Sequence, residues 1–358
     1  MSAGKKYLSI LKCVNCRGNL YLSNTPKKFN QYPAVNEELL CTSCAMTYPV
    51  FQDVPIMFTD TGRIRILLDS TAYKVLLHKT KDKIDKSSHL SGHELNLLKE
   101  GDDLIDALGW EIFFWERWKQ FDEGFGESSR EKIEEYLKND IEGGGRLNFF
   151  RKVLYFNGDI SNKRLLNIGA GRDYILEKFI DKGCEVIEQD IVLESLLLLK
   201  KRGASLCVCC DARKLPFVDN TFDISTSFSV LHHIWPIEEP LSELLRVTNG
   251  NIHFNEPNYF TLIRIGLLFP SPFKHRLRKF YGASTHSPYE DSINPYLFKR
   301  IVSIEGGECV DLSFAKDSWI SKQSFGVKKI LRIINLILAN LLELTSAHFD
   351  AVIRKKAK

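Results

Sequence analysis

Leu165-Leu166-Asn167-Ile168-Gly169-Ala170-Gly171-Arg172-Asp173 is a short apolar run that ends in Gly-x-Gly and then turns polar. An apolar run of this length predicts a buried strand over Arg164–Ile168, and paired glycines let a backbone turn tightly and approach a ligand. Working outward, the pattern repeats. A helix is expected near Tyr174–Lys182, a strand over Glu185–Ile191, a helix over Leu193–Arg202 and a strand over Ser205–Cys210. Strands at Phe222–Phe228 and Ile252–Glu256 flank a helix at Leu241–Val247. Strands alternating with helices of about ten residues are βαβ units, which build a parallel sheet. Beyond them come an insertion at 258–294, a helix near Pro295–Ser303, a strand Cys309–Phe314, a long apolar helix near Val327–Leu344 and a last strand His348–Arg354.

Ligands of such sheets sit at the carboxyl ends of the strands. Asp190 ends the second strand, 19 residues past Gly171, where a carboxylate can accept both hydroxyls of a ribose. Asp211 ends the third strand, where an acceptor can meet an adenine amine, with Ala212 beside it; Ser227 and Phe228 end the fourth. A dinucleotide site needs a third glycine to seat pyrophosphate on the helix N-terminus. Here that position is Tyr174, and Asp173 puts negative charge where phosphate would lie. The residues therefore favour a cationic or zwitterionic adenosine, which is S-adenosylmethionine.

Residues 163–257 resemble the class I S-adenosylmethionine-dependent methyltransferases, of the broad type-11 group. The resemblance lies in Leu165–Gly171, Val186–Asp190, Asp211-Ala212-x-x-Leu215-Pro216-Phe217-x-Asp219-x-x-Phe222-Asp223, Ser229-Val230-Leu231-His232-His233, Leu244-Leu245-Arg246-Val247 and Asn255-Glu256-Pro257-Asn258. It implies a Rossmann-like α/β sheet, mostly parallel with an antiparallel last strand. It also implies cofactor contacts from Gly169 and Gly171 to the methionine moiety, Asp190 to the ribose, and Asp211 and Ala212 to adenine. Two positions depart from the family pattern: Asn167 stands for the usual first-motif acid and Asp173 for the third glycine. The Asn167 carbonyl can still accept from the cofactor ammonium, without the charge.

Methyl transfer from a sulfonium asks the protein mainly to position the acceptor, and a base is needed only where the acceptor begins protonated. His232, His233 and Glu256 are the candidates; the bland alternative is that Leu-His-His shapes the turn after the fourth strand and Glu256 supports a loop. Ser225-Thr226-Ser227-Phe228 stands where methylases of amino groups on adenine or glutamine carry Asn-Pro-Pro-aromatic, which disfavours such acceptors.

Nearer the N-terminus, Cys13, Cys16, Cys41 and Cys44 form two CxxC pairs separated by 24 residues. With nine cysteines and no secretion signal, a disulfide framework is not expected. Two such knuckles fit tetrahedral zinc, and four thiolates leave no open position, so the site is structural. Cys207, Cys209 and Cys210 lie on a predicted buried strand and read as core. Residues 1–58 resemble a short zinc-ribbon family whose members partner, or are fused to, methyltransferases. Ile10-Leu11-x-Cys-x-x-Cys-x-Gly18-x-Leu20, the second CxxC, Tyr48-Pro49-Val50 and Pro55-Ile56-Met57 carry this, with Val14 where proline is usual.

Residues 59–150 form a charged, helical connecting segment. Leu104, Leu108, Ile112, Trp115 and Trp118 make one apolar stripe, and Gly143-Gly144-Gly145 breaks it from the methyltransferase part, 151–358. Trp110, Phe113, Phe114 and Phe121 complete an aromatic cluster that reads as packing rather than base stacking. The 358 residues carry 49 Lys+Arg against 45 Asp+Glu, and residues 1–60 carry six cations against four carboxylates, a thin basis for phosphate contacts. Nucleic acid is therefore disfavoured as a partner, and an RNA-base methyltransferase is the alternative reading, with a non-catalytic cofactor-binding scaffold as a third. The acceptor expected is a small-molecule or glycan-type hydroxyl. No signal peptide or membrane span is read, so the expected place is cytoplasmic. Two apolar-basic segments, 262–280 and 327–344, raise peripheral membrane contact with a lipid-linked acceptor against simple packing on the sheet.

Overall fold

A computed structural model of the chain describes residues 7–24, 28–29, 31–87, 103–121, 137, 145–258, 293–314 and 348–356. The strands are β1 (Leu20–Ser23), β2 (Val35–Cys41), β3 (Thr47–Phe51), β4 (Val54–Met57), β5 (Arg164–Ile168), β6 (Glu185–Asp190), β7 (Leu206–Cys210), β8 (Phe222–Phe228), β9 (Thr248–Pro257), β10 (Gly307–Phe314) and β11 (His348–Lys355). The helices are α1 (Thr61–Leu68), α2 (Ser70–Ser87), α3 (Asp103–Phe121), α4 (Arg146–Asn157), α5 (Leu176–Asp181), α6 (Leu193–Lys201), α7 (Glu238–Val247) and α8 (Pro295–Ile304).

The eleven strands among the described residues join in one mixed sheet, ordered β1-β2-β3-β4-β7-β6-β5-β8-β9-β11-β10. From β4 through β9 every pairing is parallel; β11 inserts antiparallel between β9 and β10. The parallel strands are apolar on both faces because helices cover both sides. Leu165, Val186, Cys207 and Ile224 face α1, α4, α5 and α6; Leu166, Ile187, Val208 and Ile252 face α7 and α8. Cys207, Cys209 and Cys210 are buried core on β7, as the run of apolar neighbours implies.

The N-terminal segment is not a bead on a linker. β1 to β4 pair antiparallel, and β4 then runs parallel to β7, with Ile56 opposite Cys209 and Met57 opposite Cys210. Leu11, Leu39 and Tyr48 are buried in the same core as Phe217 and Val208. A segment this short rarely holds a core alone, and here it borrows one from its neighbour.

On α3, Leu108, Ile112 and Trp115 are buried, which fits the predicted stripe; the side chains of Leu104, Trp118 and Phe121 lie outside the described residues. The segments 262–280 and 327–344, with the long helix expected at Val327–Leu344, also lie outside them. Among the described residues no helix is long and apolar enough to cross a membrane.

Candidate active site

In a parallel sheet the ligand crevice lies outside the carboxyl ends of the strands, here the ends of β5 to β9. Gly169 and Gly171 follow β5 with φ of 57° and 51°, a region that a side chain resists. A Cβ at Gly169 would also lie 2.3 Å from a methyl of Val230, so that position admits glycine on two counts. The turn is pinned from β6. Gly171 N–H donates to Asp190 Oδ2 at 2.7 Å, and Val192 N–H donates to Asp190 Oδ1 at 2.8 Å. With Ile191 N–H also drawn to it, the carboxylate keeps acceptor capacity for a further donor. Burial pushes the Asp190 carboxyl up to about 6, against the pull of the Val192, Gly171 and Ile191 N–H groups.

Beneath the glycine turn, register decides the fate of Asn167. β5 sets it opposite Glu188 on β6 and Thr226 on β8. Its amide donates to Glu188 Oε2 at 2.9 Å and Asp173 Oδ2 at 3.2 Å, while its carbonyl accepts from Thr226 Oγ1 at 3.0 Å. Asn167 therefore tethers the turn from below, with one of its carbonyl's two acceptor directions used by Thr226. Asp173 and Glu188 are both buried, and burial raises both carboxyls. An Asp at this position would have brought a third carboxyl to the cluster; the amide supplies donors instead.

At the end of β7 the surroundings are different. Asp211 Oδ1 accepts from Arg213 N–H and Nε, both at 3.0 Å; Oδ2 accepts from Arg63 Nη1 at 3.0 Å and Arg213 Nη2 at 2.8 Å. Burial alone would raise this carboxyl, but Arg213 and Arg63 outweigh it and hold it below the usual range. Four donors fill the four acceptor directions of a carboxylate, so an adenine amine must displace one of them. Ala212 is buried beside it.

β8 ends in Ser227 and Phe228. Ser227 is fully buried, and its hydroxyl has no hydrogen-bond partner among the described residues. Phe228 packs edge-on to Phe149, and the Arg146 guanidinium lies between the rings of Tyr174 and Phe228, 4.6 and 4.8 Å from their centroids. The chain then turns through Leu231–His233. Glu256, fully buried at the end of β9, accepts from Val230 N–H at 3.0 Å and Leu231 N–H at 2.9 Å with Oε1. Its Oε2 faces His232 Nδ1 at 2.8 Å. His233 Nδ1 lies 3.0 Å from Glu111 of α3. The three candidates of the sequence thus converge, with Glu256 as anchor of the turn and orienter of His232.

Several crevice residues carried no local signal. Arg146, Glu111 and Arg63 come from helices whose placement no short motif reports. His348, opposite Pro257 at the start of β11, is pushed down by burial while the Glu256 charge pulls it up. Trp115 of α3 lies under the Arg172 guanidinium at 5.5 Å, so the connecting segment packs over the crevice.

The sulfurs of Cys13, Cys16, Cys41 and Cys44 lie within 4.8 Å of one another. Cys13 and Cys44 are 3.6 Å apart, Cys16 and Cys41 3.4 Å, and none forms a disulfide. With zinc–sulfur bonds of about 2.3 Å, a tetrahedron has edges of about 3.8 Å. The donor set and its spacing fit such an ion.

Residues 166–252 match a methyltransferase domain family. The chain is 31% identical over 112 residues to a demethylmenaquinone methyltransferase of Paenarthrobacter aurescens, covering 31% of this chain and 44% of that protein. It spans about half or less of the first curated relatives that it matches. A methyltransferase domain is therefore the class of this part of the molecule. A 59-residue stretch, 16% of the chain, is 32% identical to a UPF0434 protein of Nitrosococcus oceani and covers 83% of it. Through that stretch the chain belongs to the UPF0434 family. Among solved structures, the chain is similar to an S-adenosylmethionine-dependent methyltransferase from Archaeoglobus fulgidus, 22% identical with a TM-score of 0.43, over 67% of this chain and 99% of that one.

Proposed function

We propose that the chain is an S-adenosylmethionine-dependent methyltransferase acting on a small-molecule hydroxyl, with a structural zinc ion held by Cys13, Cys16, Cys41 and Cys44. The observation that carries this is Asp190: a buried carboxylate at the end of β6, fixed to the glycine turn by backbone N–H groups and with acceptor capacity left for a ligand hydroxyl. That arrangement suits a vicinal diol. The cofactor, when bound, supplies an electrophilic methyl group. Gly169 and Gly171 let its methionine end lie against the backbone, and Asp190 orients the ribose.

A hydroxyl acceptor begins protonated, which is where His232 enters. With the Glu256 carboxylate accepting from Nδ1–H, the neutral ring presents Nε2 as the basic nitrogen. His232 would take the acceptor proton as the oxygen attacks. This pairing favours an oxygen acceptor over an amine that is already neutral. By this reading 1–58, 59–150 and 151–358 act as ribbon, cover and catalytic part.

Calorimetry with S-adenosylmethionine, then a turnover screen of hydroxylated small molecules, tests the proposal. Binding with turnover supports it, and His232→Ala should then lower kcat about a hundredfold with cofactor affinity unchanged. Binding without turnover on any acceptor, RNA included, would favour the scaffold alternative; tighter binding of NAD would refute the class.

A further inference from the structure

Residues 211–219 leave β7 at the crevice and carry Asp211 and Ala212, yet much of what holds them comes from the cysteine knuckle. The three residues before Cys13 pair with them. Lys12 N–H donates to Pro216 O at 2.8 Å and Val218 N–H to Ile10 O at 2.9 Å, with Leu11 and Phe217 facing in an antiparallel bridge. Arg17, directly after Cys16, reaches further. Its Nη1 donates to Leu215 O at 2.8 Å, its Nη2 donates to Phe217 O, and it faces Asp219 at 3.5 Å. Arg246 meets the same two carbonyls from α7, at 2.9 and 2.7 Å.

The aim of Arg17 depends on the knuckle. Its backbone sits at φ 64°, its N–H donates to Cys13 O at 2.8 Å, and Cys13 N–H donates to Gly18 O at 3.0 Å. An ion joining Cys13 and Cys16 to Cys41 and Cys44 would lock that turn. The ribbon also holds β7, which leads into the segment, through the β4 pairing, and Arg63 of the adjoining α1 holds Asp211.

We propose that the first cysteine knuckle is a positioning element for the adenine side of the crevice, acting through Arg17 on residues 215–219. Metal occupancy and cofactor affinity are then coupled, although the ion touches no cofactor. The inference rests on the crevice being the cofactor site.

The test uses the full chain, zinc-loaded and chelator-stripped, and zinc-loaded Arg17→Ala and Arg17→Lys. Each is measured for S-adenosylhomocysteine affinity by calorimetry, for zinc content, and for amide hydrogen exchange. Stripping and Arg17→Ala should each weaken S-adenosylhomocysteine about tenfold, the loss of two charged hydrogen bonds to the segment. Exchange should quicken over 211–219 while β5 and β6 stay protected, and Arg17→Ala should keep its zinc. Arg17→Lys, which retains a cation on a long stem, should recover part of the affinity. Unchanged affinity and unchanged exchange in stripped wild type would overturn the proposal, as would faster exchange spread evenly over the whole chain. If Arg17→Ala does not fold, stripped wild type and Arg17→Lys decide alone. No S-adenosylhomocysteine binding by zinc-loaded wild type would sink the cofactor reading instead, and the exchange data would still decide the clamp.

Discussion

Asp190 and Asp211 end neighbouring strands of one sheet and are built in opposite ways. Asp190 is held by backbone N–H groups alone and keeps acceptor capacity; Asp211 is held by two guanidiniums and keeps none. Burial dominates at the first and raises its carboxyl, whereas charge dominates at the second and lowers it. The contrast teaches that equivalent places in a fold need not do equivalent work. In the proposed reading Asp190 receives a ligand, whereas Asp211 ties α1 to the sheet through Arg63.

The hardest way to break this contrast is at Asp211. Asp211→Ala removes the carboxylate that pairs with both Arg213 and the buried Arg63, so urea unfolding should show about 3 kcal/mol of lost stability. A loss confined to cofactor affinity, with the fold unaffected, would show Asp211 to be a ligand group after all. Next is Asp190→Ala. It should cost about 2–3 kcal/mol of S-adenosylmethionine binding, tens- to a hundredfold by calorimetry, and much less stability. Unchanged affinity would mean that the ribose lies elsewhere.

A smaller effect sharpens the same point through pH. With its carboxyl raised to about 6 by burial, Asp190 is largely protonated in the free protein at pH 5 and ionised above 7. Ribose hydroxyls need the ionised form, so affinity should be roughly tenfold weaker at pH 5 than at pH 7.5. Asp190→Asn should flatten that profile. Stability runs the other way. A carboxyl raised on folding contributes most below its unfolded value, near 3.8, and that contribution is lost as pH rises through about 6. Asp211, with its carboxyl lowered, should add no weakening of affinity in this window.

The βαβ alternation was legible in the sequence because each strand is a short apolar run and each turn is polar. Phe222–Phe228 matches the expected strand in full, while β9 begins at Thr248, four residues before the expected Ile252. Asn-Gly-Asn is a poor strand by composition, and pairing with β8 through Asn251 overrides it. The two CxxC pairs were legible for a similar reason: the ligand chemistry lies within each short motif.

The partners of those motifs were not legible. That Glu256 caps the turn carrying His232, that the Asn167 carbonyl accepts from Thr226, and that Arg63 completes the donors on Asp211 depend on register and on helix packing between residues up to 148 positions apart. Local pattern chose the residue types at the strand ends, because period and turn chemistry act over a few residues. Whether each carboxylate remains an acceptor was decided by folding, because hydrogen-bond capacity is consumed by whichever donors the tertiary structure brings within about 3 Å.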